Sequence, residues 1–160
     1  MLRLFAILLF TALHGCVHQI TLPLAAGPAC SFAVTDDRPD AQHLYAMERH
    51  VIQIRTEPTV AESLKGAVCV SSESTAVSRS SFVITDFDCT VSGSFVLTYI
   101  VELRGILTKS TGDTMELRAG NKIDAGLDTG AGYYIPKGCQ MAAAPVIPAL
   151  AAKIVGAVGG

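Results

Sequence analysis

Residues 94–119 limit the fold more than any other stretch of the chain. Phe95, Leu97, Tyr99, Val101 and Leu103 fall on alternate residues, the period of a strand with one buried face. The opposite phase, Val96, Thr98, Ile100, Glu102 and Arg104, passes from apolar to charged along the strand. Lys109-Ser110-Thr111-Gly112-Asp113 supplies a polar turn. The return strand then places Met115, Leu117 and Ala119 inward and Glu116 and Arg118 outward. A hairpin of this length has an apolar face that the rest of the chain must cover.

The covering elements can be read on both sides. Residues 29–35 form a short strand with Phe32 and Val34 on one face, ended by Asp36-Asp37-Arg38-Pro39-Asp40. Residues 41–50 are ambiguous between a short helix and a loop, and 51–55 read as a second strand. Thr59-Val60-Ala61-Glu62 has capping-box spacing, opening a short helix to about Cys69 with Val60, Leu64, Ala67 and Val68 on one face. Seven serines and threonines between Ser71 and Ser81 make a polar loop. Residues 82–91 alternate again, predicting Val83, Thr85, Phe87, Cys89 and Val91 inward and Asp86 and Asp88 outward. Beyond Ala119 the pattern weakens, and the glycines at 126, 130 and 132 predict an irregular segment in which Tyr133-Tyr134 covers an end of the core. The last twenty residues are apolar with one charge, Lys153. Pro145 and Pro148 argue against a membrane span, and Ile147, Leu150, Ala151, Ile154, Val155 and Val158 form a helical stripe that would lie on the sheet. The expected fold is α+β: an antiparallel sheet around a long central hairpin, with two helices packed on one face as a two-layer sandwich.

Half of the 160 residues are hydrophobic, enough for one domain with a modest core. The amino terminus lies outside that core. Met1-Leu2-Arg3 is cationic and residues 4–13 are apolar. That run is shorter than the roughly 20 residues a spanning helix needs, so residues 1–15 read as a signal peptide. Its end, Leu13-His14-Gly15-Cys16, resembles the lipobox of bacterial lipoproteins, in which the cysteine is lipidated and becomes the first residue; His14 departs from the usual small or β-branched residue. Cleavage by ordinary signal peptidase near Ala25-Ala26 or Gly27 is the alternative. Residues 16–28 then form a lipidated tether in which Pro23, Gly27 and Pro28 oppose regular structure, and 29–160 form one α+β domain.

Cys30, Cys69, Cys89 and Cys139 remain after Cys16 is set aside, and four cysteines in an exported domain imply two disulfides with three pairings open. We expect Cys69 with Cys89, fastening the short helix to the following strand, and Cys30 with Cys139, tying the domain ends together. No Cys-x-x-Cys spacing supports zinc or redox chemistry. Removing Arg3 leaves eleven basic against fourteen acidic residues, a balance of −3. No block of like charge favours nucleic acid or an anionic lipid surface.

Asp36, Asp37, Arg38 and Asp40 make the densest polar cluster, and Asp36, Asp37 and Arg38 are the candidate partner contact unless the turn satisfies itself locally. Asp86 and Asp88 share a strand face roughly 7 Å apart and read as a solvated face rather than a calcium site. His18, His43 and His50 read as surface histidines. No nucleophile elbow, Cys–His pair or P-loop occurs. We therefore expect no catalytic residues, metal or cofactor.

The element order, the leader and the Val34-Thr35-Asp36-Asp37-Arg38-Pro39 turn resemble small Gram-negative envelope lipoproteins of the YajG kind. Auxiliary lipoproteins of ABC-type envelope transporters share much of that plan. The resemblance implies a non-enzymatic accessory for binding, assembly or transport, with an envelope protein as partner. Val17 after the lipidated Cys16 implies transfer to the outer membrane, where the domain faces the periplasm. A periplasmic or secreted inhibitor of a hydrolase such as a lysozyme is the alternative, and a hydrolase with an unrecognised site comes third.

Overall fold

The computed structural model describes residues 18–28, 30–38, 43–47, 50–71, 77, 79–126 and 131–159. The central hairpin forms where the alternation predicts it, although Met115, read as inward, is 39% exposed at the turn end of the return strand. Strand β6, Val96–Thr108, pairs antiparallel with β7, Thr114–Gly126, in unbroken register from Val96↔Gly126 to Thr108↔Thr114. Its turn is closed by Lys109 N–H donating to the Asp113 carbonyl at 2.8 Å and Gly112 N–H to the Lys109 carbonyl at 2.9 Å. Leu97, Tyr99, Val101, Leu103 and Leu107 are buried, and on β7 Ala119 is buried with Leu117, Ile123 and Ala125 half-buried. Phe95 is 88% exposed because it precedes the strand, where no pleat directs its side chain inward. The return strand also runs through Gly126, although 121–132 reads as irregular; Ile123 and Ala125 hold the inward phase across the weakly patterned end.

Strand β5, Ser81–Ser92, pairs antiparallel with β6, and β2, Ala33–Asp36, adds in parallel from Ala33↔Ser81 to Asp36↔Ile84. The sheet order is β2-β5-β6-β7. The phase expected along β5 holds only in its second half. A register shift between Ile84 and Asp86 leaves Thr85 as an extra residue, and such a bulge reverses the side-chain alternation. Phe82 and Ile84 therefore face the core with Phe87 and Cys89, while Thr85 is exposed.

A second sheet, ordered β1-β4-β3, consists of His18–Pro23, His43–Met47 and His50–Glu57. It corrects two expectations. The stretch read as a tether contains β1, parallel to β4 from His18↔Ile52 to Pro23↔Glu57; Pro23 is tolerated as the last residue of an edge strand. The ambiguous residues 41–50 contribute β3, antiparallel to β4 from His43↔Ile54 to Met47↔His50. Pairing with the β-branched run of β4 decides what local propensity leaves open.

Helix α1, Val60–Ser71, begins with the predicted capping box. Thr59 Oγ1 accepts from Glu62 N–H at 3.2 Å, and Glu62 Oε2 accepts from Thr59 N–H at 2.9 Å. The carboxyl of Glu62 lies below its ordinary value because the backbone and hydroxyl of Thr59 both donate to it. Val60, Leu64 and Val68 are buried along one face. The C-terminal helical segment starts ten residues earlier than position 141 and is bent, as α2, Ala131–Ala143, and α3, Val146–Gly159. Pro145 marks the break: it lacks an N–H, while its carbonyl accepts from Ala149 N–H at 3.1 Å and so starts α3. Lys137–Gly159 is long and apolar enough to cross a membrane, with mean hydropathy 1.8. In the fold, Val146, Ile147, Leu150, Ala151 and Ile154 are buried and α3 packs on α1, β6 and β7. Lys153, the single charge of residues 141–160, donates to the Arg118 carbonyl of edge strand β7 at 2.7 Å, and Asn121 Nδ2 donates to the Ala142 carbonyl at 3.1 Å. Gly138 lets α2 lie directly on the sheet, since a Cβ there would stand 2.2 Å from the Tyr99 ring. The architecture is α+β, with helices covering a mostly antiparallel sheet.

Both disulfides are present, with another of the three pairings: Cys30–Cys69 and Cys89–Cys139. The expectation of Cys69–Cys89 and Cys30–Cys139 fails for two reasons. The segment leading to Cys30 lies on α1, bringing Cys30 to Cys69. Cys139 lies inside α2 rather than ahead of the last helix, and there it faces the inward side chain of Cys89.

Candidate binding groove

The Asp36–Arg38 cluster folds onto itself. The Arg38 guanidinium grips Asp36 with Nε 2.6 Å from Oδ1 and Nη2 2.5 Å from Oδ2, and it lies 5.9 Å from the centroid of the Phe87 ring. The Arg38 side chain is only 6% exposed. Asp37 N–H donates to the Ile84 carbonyl at 3.1 Å and so extends the pairing of β2 with β5. Asp36 and Arg38 therefore clasp the end of β2 to the core, and of the three candidates Asp37 alone is exposed.

Asp86 and Asp88 face outward, with Phe87 inward, as expected. Asp86 lies 3.8 Å from Arg104 Nε, while Asp88 stands opposite Glu102. Arg104 and Arg118 approach Glu102 at 3.1 and 3.8 Å and offset that like-charge pair. Exposed ion pairs of this kind contribute about 0–1 kcal/mol each. Among the described residues, no group of three or more histidine, cysteine, aspartate or glutamate side chains could hold a metal. His18, His43 and His50 lie on β1, β3 and β4. Cys16 lies outside the described residues.

A concave feature lies elsewhere. Residues 24–27 run along α1 toward Cys30, and the bend between α2 and α3 faces them, leaving a groove of about 380 Å³. Leu24, Ala25, Ala26 and Gly27 form one wall, Ser63, Gly66, Ala67, Val70 and Ser71 of α1 the base, and Gln140, Ala144, Ile147 and Pro148 the other wall. Small residues make this geometry. A Cβ on Gly27 would stand 2.5 Å from Gly66 Cα, and one on Gly66 would stand 2.6 Å from Gly27 Cα. The wall therefore touches the helix backbone to backbone. It is fixed at one end by Leu24 N–H donating to the Glu57 carbonyl at 3.0 Å, and beyond the other end by the Cys30–Cys69 bridge.

Ser63 of the base and Ile147 of the far wall are buried, whereas Val70, where the base meets the rim, is 70% exposed. Ser63 Oγ is buried with no hydrogen-bond partner among the described residues, and Ser71 Oγ donates to the Ala67 carbonyl at 2.8 Å. Among the described residues, no ionisable side chain lines the groove. A lining of this kind excludes water from an apolar guest. Sequence reading missed this site. The one local signal was the set of helix and strand breakers, Gly27, Gly66, Pro145 and Pro148, without a pattern to join them.

The sequence matches no protein family and no curated protein. Among solved structures, the chain is similar to an uncharacterized protein at 7% identity and TM-score 0.42, over 90% of this chain and 98% of that one. It is also similar to protein XCC0632 from Xanthomonas campestris, of the family DUF330, at 11% identity and TM-score 0.42, over 89% of this chain and 91% of that one.

Proposed function

We propose that the protein is a non-enzymatic lipoprotein of a Gram-negative envelope. It is anchored to the outer membrane through Cys16, faces the periplasm, and serves as a binding module in transport or assembly. The observation that carries the binding part of this reading is the groove, a concave apolar site without an ionisable group among the described residues that line it. The anchoring part rests on the Leu13-Gly15-Cys16 match, and the disulfides fit an exported chain.

Two measurements test the reading. Cys16→Ser should move the protein from the membrane fraction to the soluble periplasm; a variant that stays membrane-bound would overturn lipid anchoring. A pull-down from envelope extract should recover a transporter or assembly subunit. Recovery of a lysozyme-like enzyme would instead support the inhibitor reading.

A further inference from the structure

We propose that the groove holds the aliphatic tail of a single-chain amphiphile whose headgroup stays in water. This deepens the binding reading above and rests on it. A volume of about 380 Å³ has room for about a dozen methylene-sized groups at about 30 Å³ each, the share a water molecule takes in the liquid. The lining decides what kind of guest fits. Among the described residues it contains no aromatic side chain, so a flat ring system finds no stacking surface there. Those residues include no charged side chain either, so an ionic headgroup or a peptide terminus finds no counter-ion among them. A peptide strand would bring a row of amides into the groove, and each buried amide needs a partner. The side chains that could serve are Ser63, Ser71 and Gln140, and the Ser71 hydroxyl already donates to Ala67. An alkyl tail asks for nothing the lining lacks.

The tail belongs to a separate molecule rather than to the protein's own anchor. Strand β1 is extended over His18–Pro23, about 20 Å at roughly 3.3 Å per residue. An acyl group on Cys16, two residues before His18, starts at the far end of that strand from Leu24, and most of its length would be used in reaching the groove.

The test is a titration of the full chain carrying Cys16→Ser with a dansylated undecanoic acid, displaced by hexyl, octyl, decyl and dodecyl phosphocholine below their micellar concentrations. Displacement should tighten by about fourfold per methylene until the groove is full and then level off, the fold-change that corresponds to about 0.8 kcal/mol per buried methylene. Replacing phosphocholine by a maltoside of equal chain length should change little, because no charge lines the site. Ala67→Trp, which fills the groove, should weaken binding by about tenfold or more. Val70→Gln, at an exposed rim position that folding does not depend on, should weaken it several-fold at unchanged melting temperature. Affinity that does not depend on chain length, or that both variants leave intact, overturns the proposal. Lipidated wild-type protein in nanodiscs should bind the dansyl probe as the Cys16→Ser chain does. Binding lost only in the wild type would mean that the anchor's own tail fills the groove, which overturns the assignment to a separate amphiphile. A failed titration leaves the fractionation and pull-down results standing, and failed anchoring leaves the titration standing.

Discussion

Removing each disulfide in turn, by Cys89→Ala with Cys139→Ala and by Cys30→Ala with Cys69→Ala, separates what the two bridges do. The bridges close loops of similar size, with sequence separations of 50 and 39 residues. Chain entropy assigns about 4.1 kcal/mol to the longer and about 3.9 to the shorter, so loop length does not distinguish them. Burial does. Cys89 and Cys139 are 8% and 0% exposed within the core, whereas Cys30 is only partly buried. Taking two sulfur atoms from the core leaves a void, and each methyl-sized void costs about 1 kcal/mol. The core pair should therefore cost about 5–6 kcal/mol and the outer pair about 4. Either is a large share of the 5–15 kcal/mol expected of a domain this size. Urea unfolding of the two double variants, with the slope shared, reads the difference as a lower midpoint for Cys89→Ala/Cys139→Ala. The outer pair proving the costlier would refute the burial argument. Non-reducing peptide mapping that joins Cys69 to Cys89 would refute the pairing itself.

Two further predictions concern the helices. Leu150→Ala, at a fully buried site on α3, should cost about 2–5 kcal/mol in the same unfolding assay; a loss under about 1 kcal/mol would remove α3 from the core. The capping box makes α1 sensitive to acid. The folded-state carboxyl of Glu62 lies below its ordinary value of 4.5, so its contribution is fully present above that value and is lost as pH falls through the folded one. The stability difference between wild type and Glu62→Gln should be level near neutrality and shrink below about pH 4.5; a difference that persists in acid would show that the carboxylate is not what caps the helix.

The parts of the fold legible in the sequence are those in which one local rule acts alone. The alternation of Leu97, Tyr99, Val101 and Leu103 gives β6, the Thr59–Glu62 spacing gives the start of α1, and the stripe from Ile147 to Val158 gives α3. Where a second effect intervenes, the reading slips. Thr85 bulges from β5, and a bulge has no signature in a run of alternating residues. Residues 43–47 become strand because β4 offers them a partner, which a local window does not contain. The disulfide pairing depends on Cys139 being inside a helix whose start, around Ala131, shows no apolar stripe. The groove was the least legible feature. Its walls come from 24–27, 63–71 and 140–148, and its shape depends on two glycines meeting across the chain. The Asp36-Asp37-Arg38 cluster, conspicuous in sequence, proves to be mostly a clasp for β2.

Amide chemical shifts of the isotope-labelled protein, followed during titration with decyl phosphocholine, test the groove most directly. The account predicts saturable shifts at Gly27, Gly66, Ala67, Val70 and Ala144, with the outward face of β5, β6 and β7 unmoved. Shifts on that outward face, where Val96, Ile100 and Ile106 are exposed, with the groove amides silent, would contradict it.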